Sequence, residues 1–151
     1  MGQVNSSTIT SGSIVNGDIS LGAGVSASKL QHQHVVTADW GYADTDGTVA
    51  VEDQTVFIAS STGTIREVKV WLVDSGTNTD IDFDIEVNGS TILTGDINVV
   101  NGTGDNVAVA GVINTPNLIV GDYITCVIKT VTQNTGATGP RMQITLDSTY
   151  V

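Results

Sequence analysis

The chain has 151 residues, room for one domain of ordinary size. Sixteen acidic against five basic residues give a net charge of −11, which disfavours nucleic acid and anionic lipid as direct partners, since both are held largely through Lys and Arg. No apolar run reaches the ~18 residues of a membrane span, and a single cysteine, Cys126, excludes an internal disulfide and a Cys-based zinc site.

The opening stretch, MGQVNSSTITSGS, has neither a charged n-region nor an apolar h-region, so no secretory signal is expected. Aromatic residues are absent from 1–34, which are rich in Ser, Gly and Asn, whereas strand patterns recur at short intervals from residue 36 on. The division falls near residue 35: an extended arm over 1–34, then a folded domain over 35–151. Within the arm, Ile9, Ile14, Ile19, Val25 and Leu30 recur at spacings of five or six residues. Small or turn-forming residues separate them, among them Asn16-Gly17-Asp18 and Gly22-Ala23-Gly24. That period is neither helical nor that of a strand. It describes a chain that turns repeatedly and presents one apolar side chain per segment. Such a row cannot bury itself, so it needs a partner surface. A flexible linker is the plainer alternative, but linkers seldom place Ile and Val at regular intervals. Five buried anchors alone fall short of the entropy lost on ordering some thirty residues, so backbone hydrogen bonds to a partner are expected to contribute.

The domain is predicted to be all-β. The chain holds 21 Val, 14 Ile and 21 Thr against only 6 Leu, 3 Glu and 3 Lys. β-branched side chains lose rotamer freedom in helices and suit pleated sheets. A first strand is expected around Val35–Trp40 or Thr48–Val51, followed by Gln54–Ser60 and Thr64–Val73. Asp80–Val87 has the clearest alternation, with Ile81, Phe83, Ile85 and Val87 on one face and Asp80, Asp82, Asp84 and Glu86 on the other. Asn88-Gly89 then marks a tight hairpin that needs positive φ. Ser90–Thr94, Val107–Ile113, Asp122–Val131 and Met142–Thr149 complete about eight strands, with loops at 101–106 and Gln133–Pro140. Short antiparallel strands with polar outer faces predict a two-sheet sandwich, either jelly-roll or immunoglobulin-like.

Several groups of residues are candidate sites. Asp80, Asp82, Asp84 and Glu86 project from one strand face at intervals of about 6.8 Å. They fit a docking face for a basic partner, or a solvated outer face that resists aggregation. An EF-hand is excluded, because its sixth and twelfth positions hold Ile85 and Thr91 instead of Gly and Glu. His32 and His34 share one side of an extended chain and are a candidate metal pair, with ordinary hydrogen bonding at a polar hinge as the plainer reading. Asp44-Thr45-Asp46-Gly47 and Gly102–Asn106 offer oxygen ligands but are also ordinary turns. Trp40, Tyr42 and Trp71 are the rings that could stack on a sugar. Cys126, between Ile124 and Ile128, reads as a small buried side chain. No nucleophile elbow, phosphate loop, zinc-protease or dinucleotide signature occurs, so no enzyme activity and no cofactor are expected.

The segment Ile19–His34, ISLGAGVSASKLQHQH, ends in Ser28-Lys29-Leu30-Gln31-His32-Gln33-His34. It resembles the N-terminal arm of a group of tailed-phage capsid decoration, or cement, proteins, in which a Ser-Lys-Leu-x-His-x-His ending precedes a β domain. The stretch around Asn88-Gly89-Ser90 is also similar to that group. The resemblance implies a β-sandwich that forms a homotrimer on the outside of a phage head, made in the host cytoplasm. Its arm would lie across neighbouring subunits of the major capsid protein, or across trimer mates, and clamp them. Carried over with the motif are Lys29, Leu30, His32 and His34 as partner-binding residues, beside Ile9, Ile14, Ile19 and Val25 from the apolar row. A tail-fibre or baseplate component and a surface carbohydrate-binding module are the alternatives.

Overall fold

The structure is a computed structural model and describes residues 31–40 and 49–149. Ten strands are present there: β1 (Gln31–Asp39), β2 (Glu52–Ile58), β3 (Thr62–Asp74), β4 (Asn78–Val87), β5 (Ser90–Thr91), β6 (Ile97–Val100), β7 (Val109–Ala110), β8 (Asn117–Leu118), β9 (Tyr123–Thr135) and β10 (Thr138–Thr149). Among the described residues there is no helix.

All pairings are antiparallel and form two sheets. The first has the order β1-β10-β3-β7, with β8 also on β3; the second has the order β2-β9-β4-β5, with β6 also on β4. The chain therefore changes sheets from β1 to β2, to β3, to β4, and changes again into β7, into β9 and into β10. That winding is a jelly roll, one of the two topologies that the strand pattern allowed.

Alternation decides what the sheets enclose. Ile65, Val68, Val70 and Leu72 of β3 and Met142, Ile144 and Leu146 of β10 are buried. They face Ile81, Phe83 and Ile85 of β4 and Ile124, Cys126 and Ile128 of β9 across one continuous core. Burying each such aliphatic side chain contributes about 1.5–3 kcal/mol. The Asn88-Gly89 hairpin forms as expected, with φ of 53° and 77°, and joins Val87 to Ser90 in register.

Other expectations need correction. The segment Gln133–Pro140 is a tight hairpin and not a loop: β9 continues to Thr135 and β10 starts at Thr138. Ser90–Thr94 and Val107–Ile113 shrink to the two-residue strands β5 and β7, with an isolated bridge from Leu93 to Ile113. β1 begins at Gln31, four residues before the expected start of the domain at residue 35.

Two bulges carry cations. Asp82 pairs with Thr130 and Phe83 with Ile128, so Lys129 is an extra residue in β9. Glu67 pairs with Thr145 and Ile65 with Leu146, so Arg66 is an extra residue in β3. Bulges re-aim side chains. Here each extra residue reaches a carboxylate, Arg66 to Asp147 at 2.6 Å and Lys129 to Asp96 at 2.7 Å.

Candidate interaction surfaces

The acidic residues of β4 sit in a network. Asn98 stands opposite Asp82 on β6 and donates through Nδ2 to Asp80 at 2.8 Å and to Asp82 at 2.7 Å. Asp84 departs from the expected solvated stripe: it is 2% exposed. Its Oδ1 accepts from Thr91 Oγ1 at 2.6 Å and from the Ile85 amide at 2.7 Å, and Lys129 Nζ lies 3.6 Å from Oδ2. The Lys129 ammonium is held above its ordinary pKa, first by its hydrogen bond to Asp96 and then by the charges of Asp96 and Asp84. Asp53 pairs with Val127 in the same cross-strand row as Asp84. This sheet thus carries Asp53, Asp80, Asp82, Asp84, Glu86 and Asp96 against Lys129. On the other sheet, Arg66, Lys69 and Arg141 each meet a carboxylate, of Asp147, Glu67 and Asp39 respectively. The negative charge is therefore concentrated on one face, where a cationic partner would be favoured. Asn98 and Lys129 were not singled out in the sequence, and the one lysine between Ile128 and Thr130 was the available signal.

His32 and His34 both lie in β1, opposite Ser148 and Leu146. The His34 Nε2 is 2.8 Å from Ser148 Oγ, in keeping with ordinary hydrogen bonding. Among the described residues no group of three or more His, Cys, Asp or Glu is placed to hold a metal ion. Ile9, Ile14, Ile19, Val25, Lys29 and Leu30 lie outside the described residues, as do Tyr42 and Asp44–Gly47. Trp40 is not displayed for stacking on a sugar. It is 8% exposed and packs on Phe83, with ring centroids 6.1 Å apart. Trp71 is half-buried on the outer face of β3, opposite Arg141. Cys126 is fully buried, and burial pushes its thiol up to about 12, far from a reactive thiolate.

Two aspartates organise loops. Asp105 accepts from the Ser75 amide at 2.8 Å and from Ser75 Oγ at 3.0 Å. It therefore anchors the 101–106 loop to the end of β3. Asp122 accepts from the Ile119 amide at 2.8 Å and from Asn88 Nδ2 at 2.7 Å, while the Tyr123 amide donates to Asn88 Oδ1 at 3.1 Å. The β4–β5 hairpin is thereby tied to the start of β9. Both carboxyls lie below the ordinary range, Asp105 mainly through the Ser75 amide and Asp122 mainly through the Ile119 amide. A lowered folded pKa means that ionisation favours the fold. That contribution is complete above the unfolded value, about 3.9, and is lost as pH falls through the folded value. The unfolding temperature, followed downward from pH 5, is expected to fall below about pH 4, with a shallower slope in Asp122→Asn and Asp105→Asn. An unchanged slope in both variants would remove these two groups from the acid response.

No family model matches the chain, and no curated protein matches it in sequence. Among solved structures, the chain is similar to a chain of the cyanophage Pam1 capsid asymmetric unit. The TM-score is 0.54 and the identity 12%, over 98% of this chain and 99% of that one. It also aligns with a family 35 carbohydrate binding module from Clostridium thermocellum, with TM-score 0.39 and 15% identity over 78% of this chain and 89% of the module. At such identity the capsid likeness is one of fold: the chain has the all-β sandwich architecture of a chain found in a phage capsid.

Proposed function

We propose that this chain is a virion structural protein of a tailed phage, a decoration or cement protein on the outside of the head. In this reading it binds as a homotrimer to the major capsid protein, and the segment before β1 clamps neighbouring capsid subunits. The role is one of assembly and not of catalysis. The observation that carries it is the fold match to a chain of a phage capsid, which extends over 98% of this chain and 99% of that one. A match of that extent pairs two chains of nearly equal size, not a shared module within a larger protein. The resemblance of Ser28–His34 to the arm motif supports it independently. The charge of −11 fits a component that stays soluble and off the packaged DNA.

The test is a truncation. Because β1 starts at Gln31, removing residues 1–30 keeps every described strand whole. The truncated protein is expected to keep its β circular dichroism and its cooperative unfolding, yet to lose binding to heads that lack the wild-type protein. Full decoration by the truncated protein would overturn the clamp.

A further inference from the structure

The dipeptide Asn-Gly occurs three times, at Asn16-Gly17, Asn88-Gly89 and Asn101-Gly102. The first lies outside the described residues. Asparagine is a thermolabile residue, and a glycine after it leaves the attacking backbone nitrogen unhindered, because no side chain stands on the next Cα. The other two pairs are both exposed, and Gly89 and Gly102 both have positive φ, 77° and 94°. Dipeptide and exposure therefore do not tell them apart. Their hydrogen bonds do.

Asn88 is held at both ends of its side-chain amide. Nδ2 donates to Asp122 at 2.7 Å, and Oδ1 accepts from the Tyr123 amide at 3.1 Å. The hairpin fixes the backbone as well: the Asn88 amide donates to the Tyr123 carbonyl at 3.1 Å, and Val87 pairs with Ser90. The side chain is thus committed to the start of β9. For the Gly89 nitrogen to reach Asn88 Cγ, both side-chain bonds must break, one of them to a charged carboxylate. That slows cyclisation by about tenfold or more.

Asn101 has no such clamp. Its backbone amide donates to the Thr79 carbonyl at 2.7 Å. Its side-chain amide and the Gly102 N–H bond to no group among the described residues. A Cβ placed on Gly102 would meet nothing within 4 Å, so a ring built between the two residues has room.

We propose that Asn101-Gly102 is a spontaneous modification site, and that the clamp of Asp122 and Tyr123 keeps Asn88-Gly89 intact. The Gly102 N–H proton passes to solvent hydroxide, and the nitrogen attacks Asn101 Cγ. The N–Cγ bond forms, the Cγ–Nδ2 bond breaks, and Nδ2 takes a proton from water and leaves as ammonia. One water then opens the succinimide at either carbonyl, giving aspartate or isoaspartate. Isoaspartate inserts a methylene into the main chain before Gly102. The turn that the Thr103 amide closes on the Val100 carbonyl, at 3.0 Å, spans that point and is lengthened by it. Either product adds a negative charge directly after Val100, which pairs with Asp80, so the acidic sheet becomes more negative. None of this depends on what the chain binds.

Ageing the full-length protein in mildly alkaline heavy-oxygen water tests it, with each site located by tandem mass spectrometry. Label is expected at Asn101 first, in both isomers, and about tenfold or more slowly at Asn88. In denaturant the two sites are expected to convert at similar rates, since the dipeptide is the same. Asp122→Ala is expected to raise the rate at Asn88 and to leave that at Asn101 unchanged. The Thr103 amide is expected to exchange its hydrogen faster in aged wild-type protein than in N101Q aged alike. Equal rates at Asn88 and Asn101 in the folded protein, or no label at Asn101 where the denatured chain takes it up, would overturn the site. An unchanged rate at Asn88 in Asp122→Ala would overturn the clamp, and unchanged Thr103 exchange the lengthened turn. Should Asp122→Ala not fold, the rates at Asn88 in folded and denatured wild-type protein decide the clamp, and equal rates overturn it.

Discussion

Phe83→Ala is expected to lower the unfolding free energy by about 3–5 kcal/mol, the range for truncating a buried aromatic side chain. Phe83 is fully buried in the middle of β4, and the Trp40 ring packs on it at 6.1 Å. Trp40 also caps the end of β1, so the cavity would loosen the contact between the two sheets and not one strand alone. Collapse around the gap is resisted because Val68, Val70, Ile144 and Ile128 are themselves fully buried on ordered strands. Denaturant unfolding with an unchanged m-value checks this. A loss below 1 kcal/mol would mean that the core repacks and that the β4 seam is not central to stability.

The second large effect concerns the carboxylate under the acidic face. Lys129→Met leaves Asp84 buried with only Thr91 and the Ile85 amide as partners, and is expected to cost about 1–3 kcal/mol. The half-exposed Lys129 ammonium, 3.6 Å from the carboxylate, keeps the figure below that of a fully enclosed pair. Asp84→Leu alone removes the acceptor of the Thr91 hydroxyl and leaves Lys129 paired with Asp96. The double variant Asp84→Leu, Lys129→Met removes both charges, and is expected to be more stable than the sum of the single changes predicts. Strict additivity in a double-mutant cycle would show that the two groups do not interact.

Legibility followed the range of the interaction. The alternation of Ile81, Phe83 and Ile85 and the need of Asn88-Gly89 for positive φ are local properties, and both appear as read. Pro140 misled, because proline usually marks the end of a strand, yet it pairs in register with Leu72. β6 and β8 are four and two residues long, too short for a period to register. The burial of Asp84 depends on the bulge at Lys129 and on Thr91 arriving from β5, so no pattern within β4 could announce it. The choice of jelly roll over an immunoglobulin-like wind lies in pairings such as β1 with β10, more than a hundred residues apart in the chain. The exposed pair Ile58 and Tyr123 was hidden for the same reason: the two become neighbours only when β2 meets β9.

The proposed virion role is tested most directly by purifying DNA-filled particles from a culture that expresses this chain and reconstructing them. The account predicts copies of the sandwich in groups of three on the outer surface of the head, in fixed ratio to the capsid protein, with the segment before β1 traced over adjoining subunits. Particles that lack the chain, or that carry it only on the tail, would contradict it.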